Sequence, residues 1–182
     1  MTAVGGADQI LVLDAMCLIH SARAERLDVL GELLVDRECW TTRVVLEELR
    51  EGEAIHPTLD AVLGLDWLNI AELDTLDEIR LFAIWVQRLG SGKRNLGEAS
   101  VLAAAERRGG TAVIDDREAV KVARAYGAEV HGILWVLAGA CREGKLTEPA
   151  AGNLIDALRA TGLRLPCTGA EFPDYARRHG LL

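Results

Sequence analysis

Two short apolar runs, each ending at an acid, constrain the fold of this 182-residue chain more than any other feature. The runs are ILVL at residues 10–13, followed by Asp14, and TAVI at residues 111–114, followed by Asp115 and Asp116. A short continuous apolar run is typical of a strand that is buried on both faces, as in a parallel sheet. Because residues with helical spacing follow each run, the sequence predicts an α/β fold in which strands alternate with helices.

The rest of the chain repeats this alternation. Further short strands are predicted at residues 40–42, 67–73 and 129–130. Residues 76–89 have an amphipathic helical pattern, and the predicted buried face is Leu76, Ile79, Phe82, Ala83 and Val86. After residue 131 only helices are predicted, over 133–143, 148–160 and 170–182. A chain of this length and pattern is expected to form one domain with additional helices at its C-terminal end.

The composition permits a sizeable core but argues against bulk electrostatic binding of nucleic acid. Half of the residues are apolar and only four Trp, two Tyr and two Phe are present, so the core consists mainly of aliphatic side chains. The net charge of -8 is opposite in sign to that of a protein held to nucleic acid by its overall charge. A nuclease is not excluded, because acids clustered around a metal ion would account for part of this charge.

The four cysteines carry no signature of a metal finger or of a disulfide framework. They form no CxxC pair, which favours reduced structural thiols; they are Cys17, Cys39, Cys141 and Cys167. The N-terminal residues lack the basic start of a signal peptide, and the apolar run at 10–13 is too short to cross a membrane. We therefore expect a cytoplasmic protein without a membrane partner.

The acids at the strand ends are candidates for a functional site. Parallel strands place their carboxyl ends at one edge of the sheet, where open α/β folds bind ligands. Glu98, at the start of the helix LGEASVLAAA, and one of the adjacent Glu47 and Glu48 could lie at the same edge. If the acids converge, their mutual repulsion has to be relieved by protons or by a divalent metal ion.

A simpler explanation of the same acids is helix capping. Asp is a common N-cap residue, which suits Asp14 and one of Asp115 and Asp116. Glu98 would lie in the first turn of its helix, where the helix dipole favours an anion. The residues taken singly leave the choice between capping acids and an acidic metal site open.

Four successive segments of the chain together resemble the PIN-domain family. They are LVLDAMCLIH, VVLEELR, NLGEASVLAAAERRG and AVIDDREAVKVARAYGAEVHGILWVLAGACREGKL, which lie between residues 10 and 146. The resemblance implies a three-layer α/β/α sandwich around a short parallel sheet. It also divides the chain into a PIN-like domain over 1–146 and a C-terminal helical extension over 147–182, packed on the same domain.

The resemblance implies a divalent-metal-dependent ribonuclease that hydrolyses RNA phosphodiester bonds. By motif, the catalytic acids would be Asp14, Glu48, Glu98 and Asp115. Mg²⁺ or Mn²⁺ would be held by Asp14, Glu98 and Asp115, with Asp116 as an auxiliary ligand or a helix cap. Many bacterial members of the family are the toxin of a type II toxin–antitoxin pair, so an antitoxin protein is an expected partner beside RNA. The apolar helices also suit a homodimer.

Contacts to the substrate are a separate expectation. Lys93 and Arg94 lie in the Gly-Ser loop before the helix of Glu98, from which they could reach phosphates near the metal ion. Ordinary solvated charges in a loop are an equally good interpretation of this pair.

One departure from the family pattern supports an alternative function. The family often has Ser, Thr or Asn two residues after the first Asp, whereas this chain has Met16, whose thioether cannot donate a hydrogen bond. The alternative is a PIN-like domain with weak or no catalysis that acts as a binding or regulatory protein. A phospho-aspartate hydrolase is disfavoured, because Met16 and Leu18 replace the second Asp and the hydroxyl that such an enzyme needs.

Overall fold

A computed structural model describes residues 9–52, 59–90, 92 and 95–182 of the chain. The candidate substrate contacts Lys93 and Arg94 lie outside these residues.

Within these described residues, five strands form one parallel sheet. They are β1 (Ile10–Leu13), β2 (Glu38–Thr42), β3 (Leu68–Ala71), β4 (Thr111–Val113) and β5 (Val130–His131), in the order β3-β2-β1-β4-β5. The helices of the described chain are α1 (Ala15–Arg23), α2 (Leu27–Leu33), α3 (Arg43–Gly52), α4 (Leu59–Leu63), α5 (Leu76–Leu89), α6 (Leu96–Arg108), α7 (Arg117–Ala125), α8 (Ile133–Arg142), α9 (Glu148–Ala160) and α10 (Phe172–Arg178).

The strand order creates a switch point between β1 and β4. The chain first extends the sheet from β1 through β2 to β3, and then returns to place β4 and β5 on the other side of β1. Leu13 is paired with Val113, and the amide of Asp14 donates to the carbonyl of Val113 at 3.2 Å. Both acid-terminated strands therefore end side by side, at the position where open α/β sheets form a crevice.

The core confirms the predicted α/β sandwich. The two apolar runs at 10–13 and 111–114 are almost completely buried because helices cover both faces of the sheet. Helix α6 packs on β1, β2 and β4 and contacts α5, while α1 contacts α2, α3 and α9. The four cysteines are free thiols, as expected.

The C-terminal helices are continuous with the core. Helix α9 contacts α8 and α1, and α10 packs on α9. Ile155 of α9 and Phe172 of α10 are fully buried, and His20 of α1 is hydrogen-bonded to Thr161 at 2.7 Å. The division of the chain at residues 146 and 147 stays a prediction.

The predicted buried face of α5 is wrong in part. Phe82 and Val86 pack against the core, but Leu76, Ile79 and Ala83 are exposed. The buried residues of this helix are Glu78 and Trp85. Contacts with α6 explain the rotation, since Trp85 Nε1 donates to Glu106 at 2.8 Å and Glu78 lies 3.5 Å from Arg108.

The predicted strand at 67–73 is too long. Strand β3 spans only Leu68–Ala71, because Leu73 adopts a φ of 55°, which is incompatible with extended backbone.

No helix in the described part of the chain is both long enough and apolar enough to cross a lipid bilayer.

Candidate functional site

A cavity of about 670 Å³ opens at the switch point between β1 and β4. Its described lining includes six acids, which are Asp14, Glu48, Glu98, Asp115, Asp116 and Glu118. The structure thus brings together all five acids that the sequence singled out, and adds Glu118. We call this cavity the acidic cavity.

Asp14 and Asp116 each follow a strand and cap the next helix. Asp14 is 2% exposed, and its carboxylate accepts a hydrogen bond from the amide of Cys17 at 3.0 Å, at the start of α1. Asp116 accepts from the amide of Ala119 at 2.8 Å, at the start of α7. The predicted capping roles are therefore present within the acidic cavity itself.

Asp115 is bound to the start of α8. Its two carboxylate oxygens lie 3.1 and 3.3 Å from the amide nitrogen of Ile133. A Cβ atom at Gly132 would lie 2.4 Å from Asp115 Oδ1, so only glycine permits this approach. Gly132 was not predicted as a site residue; its only signal in the sequence is its position between a short strand and an apolar helix.

Glu48 has the same relation to the start of α6. Its Oε1 accepts from the amide of Gly97 at 3.0 Å, and a Cβ atom at Gly97 would lie 2.5 Å from Glu48 Oε2. Glu47 is exposed to solvent, so the choice between the adjacent acids is settled by the fold. Glu98 lies in the first turn of α6, beside Gly97.

All five acids of the sequence prediction therefore lie at the N-terminus of a helix. The first-turn amides and the helix dipole stabilise negative charge at such positions. Capping and metal binding are consequently not exclusive interpretations, because a carboxylate that caps a helix keeps further lone pairs for another ligand.

Burial raises the pKa values of Asp14, Glu48 and Asp115, and repulsion from neighbouring acids adds to the rise at Asp14 and Glu48. Burial raises the pKa of Asp14 well above its usual value, with Asp115 and Glu98 adding to the rise and the Cys17 amide opposing it. Burial raises the pKa of Asp115 to about 6, against the hydrogen bond from Ile133. Burial and the nearby Glu98 raise the pKa of Glu48 to about 7. The cavity thus favours a proton or a cation beside these groups.

The donor set suits a hard divalent cation but does not enclose it. Carboxylate oxygens are the ligands that Mg²⁺ and Mn²⁺ prefer. Within residues 9–52, 59–90, 92 and 95–182, however, no three His, Cys, Asp or Glu side chains are arranged to hold a metal ion by themselves.

A buried pair of hydroxyls connects the two helices that carry the glutamates. Thr42 Oγ1 lies 2.6 Å from Ser100 Oγ and also accepts from the amide of Val45, at the start of α3. Ser100 in turn donates to the carbonyl of Gly97 at 2.7 Å. The pair fixes α3 against α6 and thereby positions Glu48. In the sequence, this hydroxyl pair is indicated only by a Thr at the end of a strand and a single Ser within an Ala-rich helix.

Met16 and Arg164 also line the acidic cavity. Met16, where the resemblance implies Ser, Thr or Asn, is 39% exposed. Arg164 is the one cation in the described part of the lining. It belongs to the segment after α9, which the resemblance did not cover.

Comparison with known proteins agrees with this architecture. A family model described as PIN domain matches residues 10–170. A chain in the crystal structure of VapBC2 from Rickettsia felis bound to a DNA fragment from their promoter superimposes with a TM-score of 0.50. The match covers 68% of this chain and 98% of that chain at 14% identity, which shows similarity of fold alone. No curated protein matches significantly. Since the family model extends over most of its length, the chain belongs to the PIN-domain family.

Proposed function

We propose that this protein is a divalent-metal-dependent ribonuclease that hydrolyses RNA phosphodiester bonds. The observation that carries the proposal is the convergence of Asp14, Glu48, Glu98 and Asp115 on one cavity at the carboxyl edge of the sheet. Membership of the PIN-domain family supports it, because nucleases are common in this family.

In this proposal Asp14 and Asp115 hold Mg²⁺ or Mn²⁺, with Glu98 beside them and Asp116 as an auxiliary ligand. When bound, such an ion lowers the pKa of water and offsets negative charge on the phosphoryl group. Glu48 orients the attacking water and accepts its proton, a role that its pKa of about 7 suits. Arg164 binds a phosphate at the rim of the cavity, and Lys93 and Arg94 remain candidates for a second phosphate contact.

Cleavage of labelled single-stranded RNA tests the enzyme. We expect cutting by the wild type with Mn²⁺ or Mg²⁺, none in EDTA, and none by Asp14→Asn/Asp115→Asn. Asn preserves the size of each side chain and an oxygen that can accept the helix amide, so the variant isolates the loss of charge. Equal cutting by both proteins would expose a contaminating nuclease.

Thermal unfolding tests the metal site independently of catalysis. Mn²⁺ at about 100 times its dissociation constant should stabilise the wild type by about 2.7 kcal/mol. This corresponds to a rise in Tm of about 5–10 °C. The matched control is Asp28→Asn/Asp77→Asn, which removes two exposed acids from the first turns of α2 and α5 and should respond like the wild type. An unchanged Tm for the wild type would contradict the metal site.

We further propose that the protein is the toxin of a toxin–antitoxin pair. The structural similarity to a chain of VapBC2 supports an antitoxin partner, and that complex was crystallised with a promoter fragment. Induced expression should arrest growth of the host, and Asp14→Asn/Asp115→Asn should relieve the arrest. Co-expression of a small neighbouring gene product should also relieve it and should co-purify with the chain. Growth that is unaffected by the wild type would contradict the toxin role.

Met16 favours a second candidate, a PIN domain that binds without cleaving. An exposed thioether occupies the cavity wall beside Asp14, where it offers no donor to the acids or to an ordered water. The two candidates differ in one measurement. RNA binding without metal-dependent cleavage in the wild type, together with cleavage gained by Met16→Ser, would favour the second candidate.

A further inference from the structure

A second groove adjoins the acidic cavity. It has a volume of about 810 Å³ and lies between α7, the start of α8 and the segment after α9. Asp115 and Arg164 line both spaces, so the two are continuous at these residues. We call it the basic groove, because of the side chains described next.

The wall of the basic groove concentrates positive charge in an acidic protein. Arg117, Lys121 and Arg124 follow one another at spacings of four and three residues, which places them on one face of α7, and Arg164 completes the set. Asp115 is the one acid in the described lining. None of these four cations forms an ion pair within the described chain, although Arg124 donates to the carbonyl of Val130 at 3.3 Å.

Two stacked pairs of rings border the same groove. The rings of His131 and Trp135 are parallel within 6°, with centroids 4.3 Å apart. Those of Tyr175 and His179 are 4.1 Å apart with an angle of 25°. Trp135 and Tyr175 are half-buried, so that each ring is held by the fold and still contributes surface to the groove.

We propose that the basic groove binds the nucleotides of a single-stranded RNA next to the phosphate in the acidic cavity. The cations of α7 contact the backbone, and Trp135 and Tyr175 stack against unpaired bases. Cations that follow a backbone, combined with aromatic rings, are the physical basis of single-strand binding. An acidic peptide would use the cations but would leave the stacked rings without a role. The inference rests on the proposed ribonuclease function, because the groove would guide the RNA to the acids of the acidic cavity.

Binding measured without cleavage tests the groove. The probe is a fluorescein-labelled RNA of about 12 nucleotides, titrated in EDTA and read by anisotropy. Lys121→Gln/Arg124→Gln should weaken binding at least tenfold and should lower the slope of log K against log salt by about 1.4, since each lost phosphate contact contributes about 0.7 for single strands. Arg80→Gln/Arg107→Gln, which removes two charges from α5 and α6, is the matched control and should bind like the wild type.

A neutral substitution separates stacking from charge. Tyr175→Leu should weaken binding of the single strand about tenfold without changing the salt slope. Annealing the RNA to its complement should abolish this difference, because paired bases are no longer free to stack. If Tyr175→Leu weakens the binding of single-stranded and double-stranded RNA equally, or weakens neither, the stacking role is overturned.

The remaining outcomes distinguish this proposal from the ribonuclease itself. If the wild type cleaves RNA with metal but the Lys121 and Arg124 variant binds like the wild type, the basic groove is not the substrate path. If Asp14→Asn/Asp115→Asn binds at least as tightly as the wild type and the groove variants lose binding, the groove stands even where no cleavage occurs. If Lys121→Gln/Arg124→Gln loses binding to a polyglutamate peptide but still binds RNA like the wild type, the groove belongs to a protein partner and the proposal is overturned.

Discussion

Asp14 has a structural role, and in the proposed function the same side chain also has a chemical one. Its carboxylate caps α1 through the amide of Cys17, and it is buried beside two other acids of the cavity, Asp115 and Glu98. A capping carboxylate could be replaced by another acceptor, whereas a metal ligand requires the charge. Substitutions that keep or remove the acceptor therefore separate the two tasks.

We expect Asp14→Asn to be at least as stable as the wild type, and Asp14→Ala to be about 1 kcal/mol less stable than Asp14→Asn, the usual contribution of an N-cap. Asn retains an oxygen for the Cys17 amide and removes a buried charge, while Ala leaves that amide without its acceptor. Urea unfolding in EDTA measures both. Both variants should fail to cleave RNA. Equal stability of Asn and Ala would show that the capping bond contributes nothing measurable.

Asp115 should make the metal-free protein less stable as the pH rises. Its pKa is about 6 in the folded chain and near 3.8 in the unfolded chain, so between these values the folded state holds a proton that the unfolded state has released. Stability is therefore lost as the pH rises through 6. Relative to the wild type, Asp115→Asn should gain about 1.4 kcal/mol between about pH 5 and about pH 7.5, as measured by urea unfolding.

The comparison with wild type removes the histidines from this measurement. Burial lowers the pKa of His20 and His131, which titrate with the opposite sign. Glu72→Gln is a control whose stability should change with pH in the opposite direction, because the hydrogen bond from Arg43 lowers the pKa of Glu72. That variant should lose a little stability relative to wild type as the pH rises. An Asp115→Asn difference that does not change with pH would contradict the buried, proton-binding carboxyl.

At the scale of elements, the site is built from helix N-termini. Helices α1, α6, α7 and α8 all begin at the acidic cavity and direct their first amides at its carboxylates. Gly97 and Gly132 allow the two closest approaches, because neither has a Cβ atom to occupy the position of the carboxylate. The acids are thus tolerated together because four helix dipoles offset their charge.

Gly132→Ala should reduce the affinity for Mn²⁺ at least tenfold, the usual scale for displacing a group that orients a ligand. The added Cβ would lie 2.4 Å from Asp115 Oδ1 and would force this carboxylate away from α8. Gly139→Ala is the control in the same helix, since its nearest contact would be an ordinary 3.6 Å. Calorimetric titration of Mn²⁺ provides the measurement. Unchanged affinity in Gly132→Ala would show that Asp115 is not a ligand.

At the scale of the whole molecule, the C-terminal helices share the core of the sheet domain. Phe172 is fully buried and packs in the same apolar cluster as the strands. We expect Phe172→Ala to lose about 3–5 kcal/mol in a single urea transition. Phe82→Ala, at a half-buried position of α5, should lose about 1 kcal/mol or less. A separate first transition for the C-terminal part would contradict one cooperative unit.

Predictions from the sequence were most successful where the chemistry is local. Apolar runs identified β1 and β4 because a buried parallel strand needs no polar face, and Asp14, Asp115 and Asp116 followed at their ends. The buried face of α5 was predicted only in part, because both faces of the helix carry apolar residues and only the contacts of Trp85 and Glu78 with α6 decide between them. The basic groove was also missed, since its cations and rings come from segments far apart in sequence.

Periodicity and composition by themselves determined the alternation of strands and helices, and the order of the acid motifs indicated the family. These properties depend on neighbours within a few residues, which a sequence records directly. Only the tertiary structure decided that Glu48 rather than Glu47 faces the cavity, that Gly97 and Gly132 admit the carboxylates, and that Arg164 lies beside both spaces. Such choices depend on which helix ends meet at the switch point, and this is set by packing across the whole sheet.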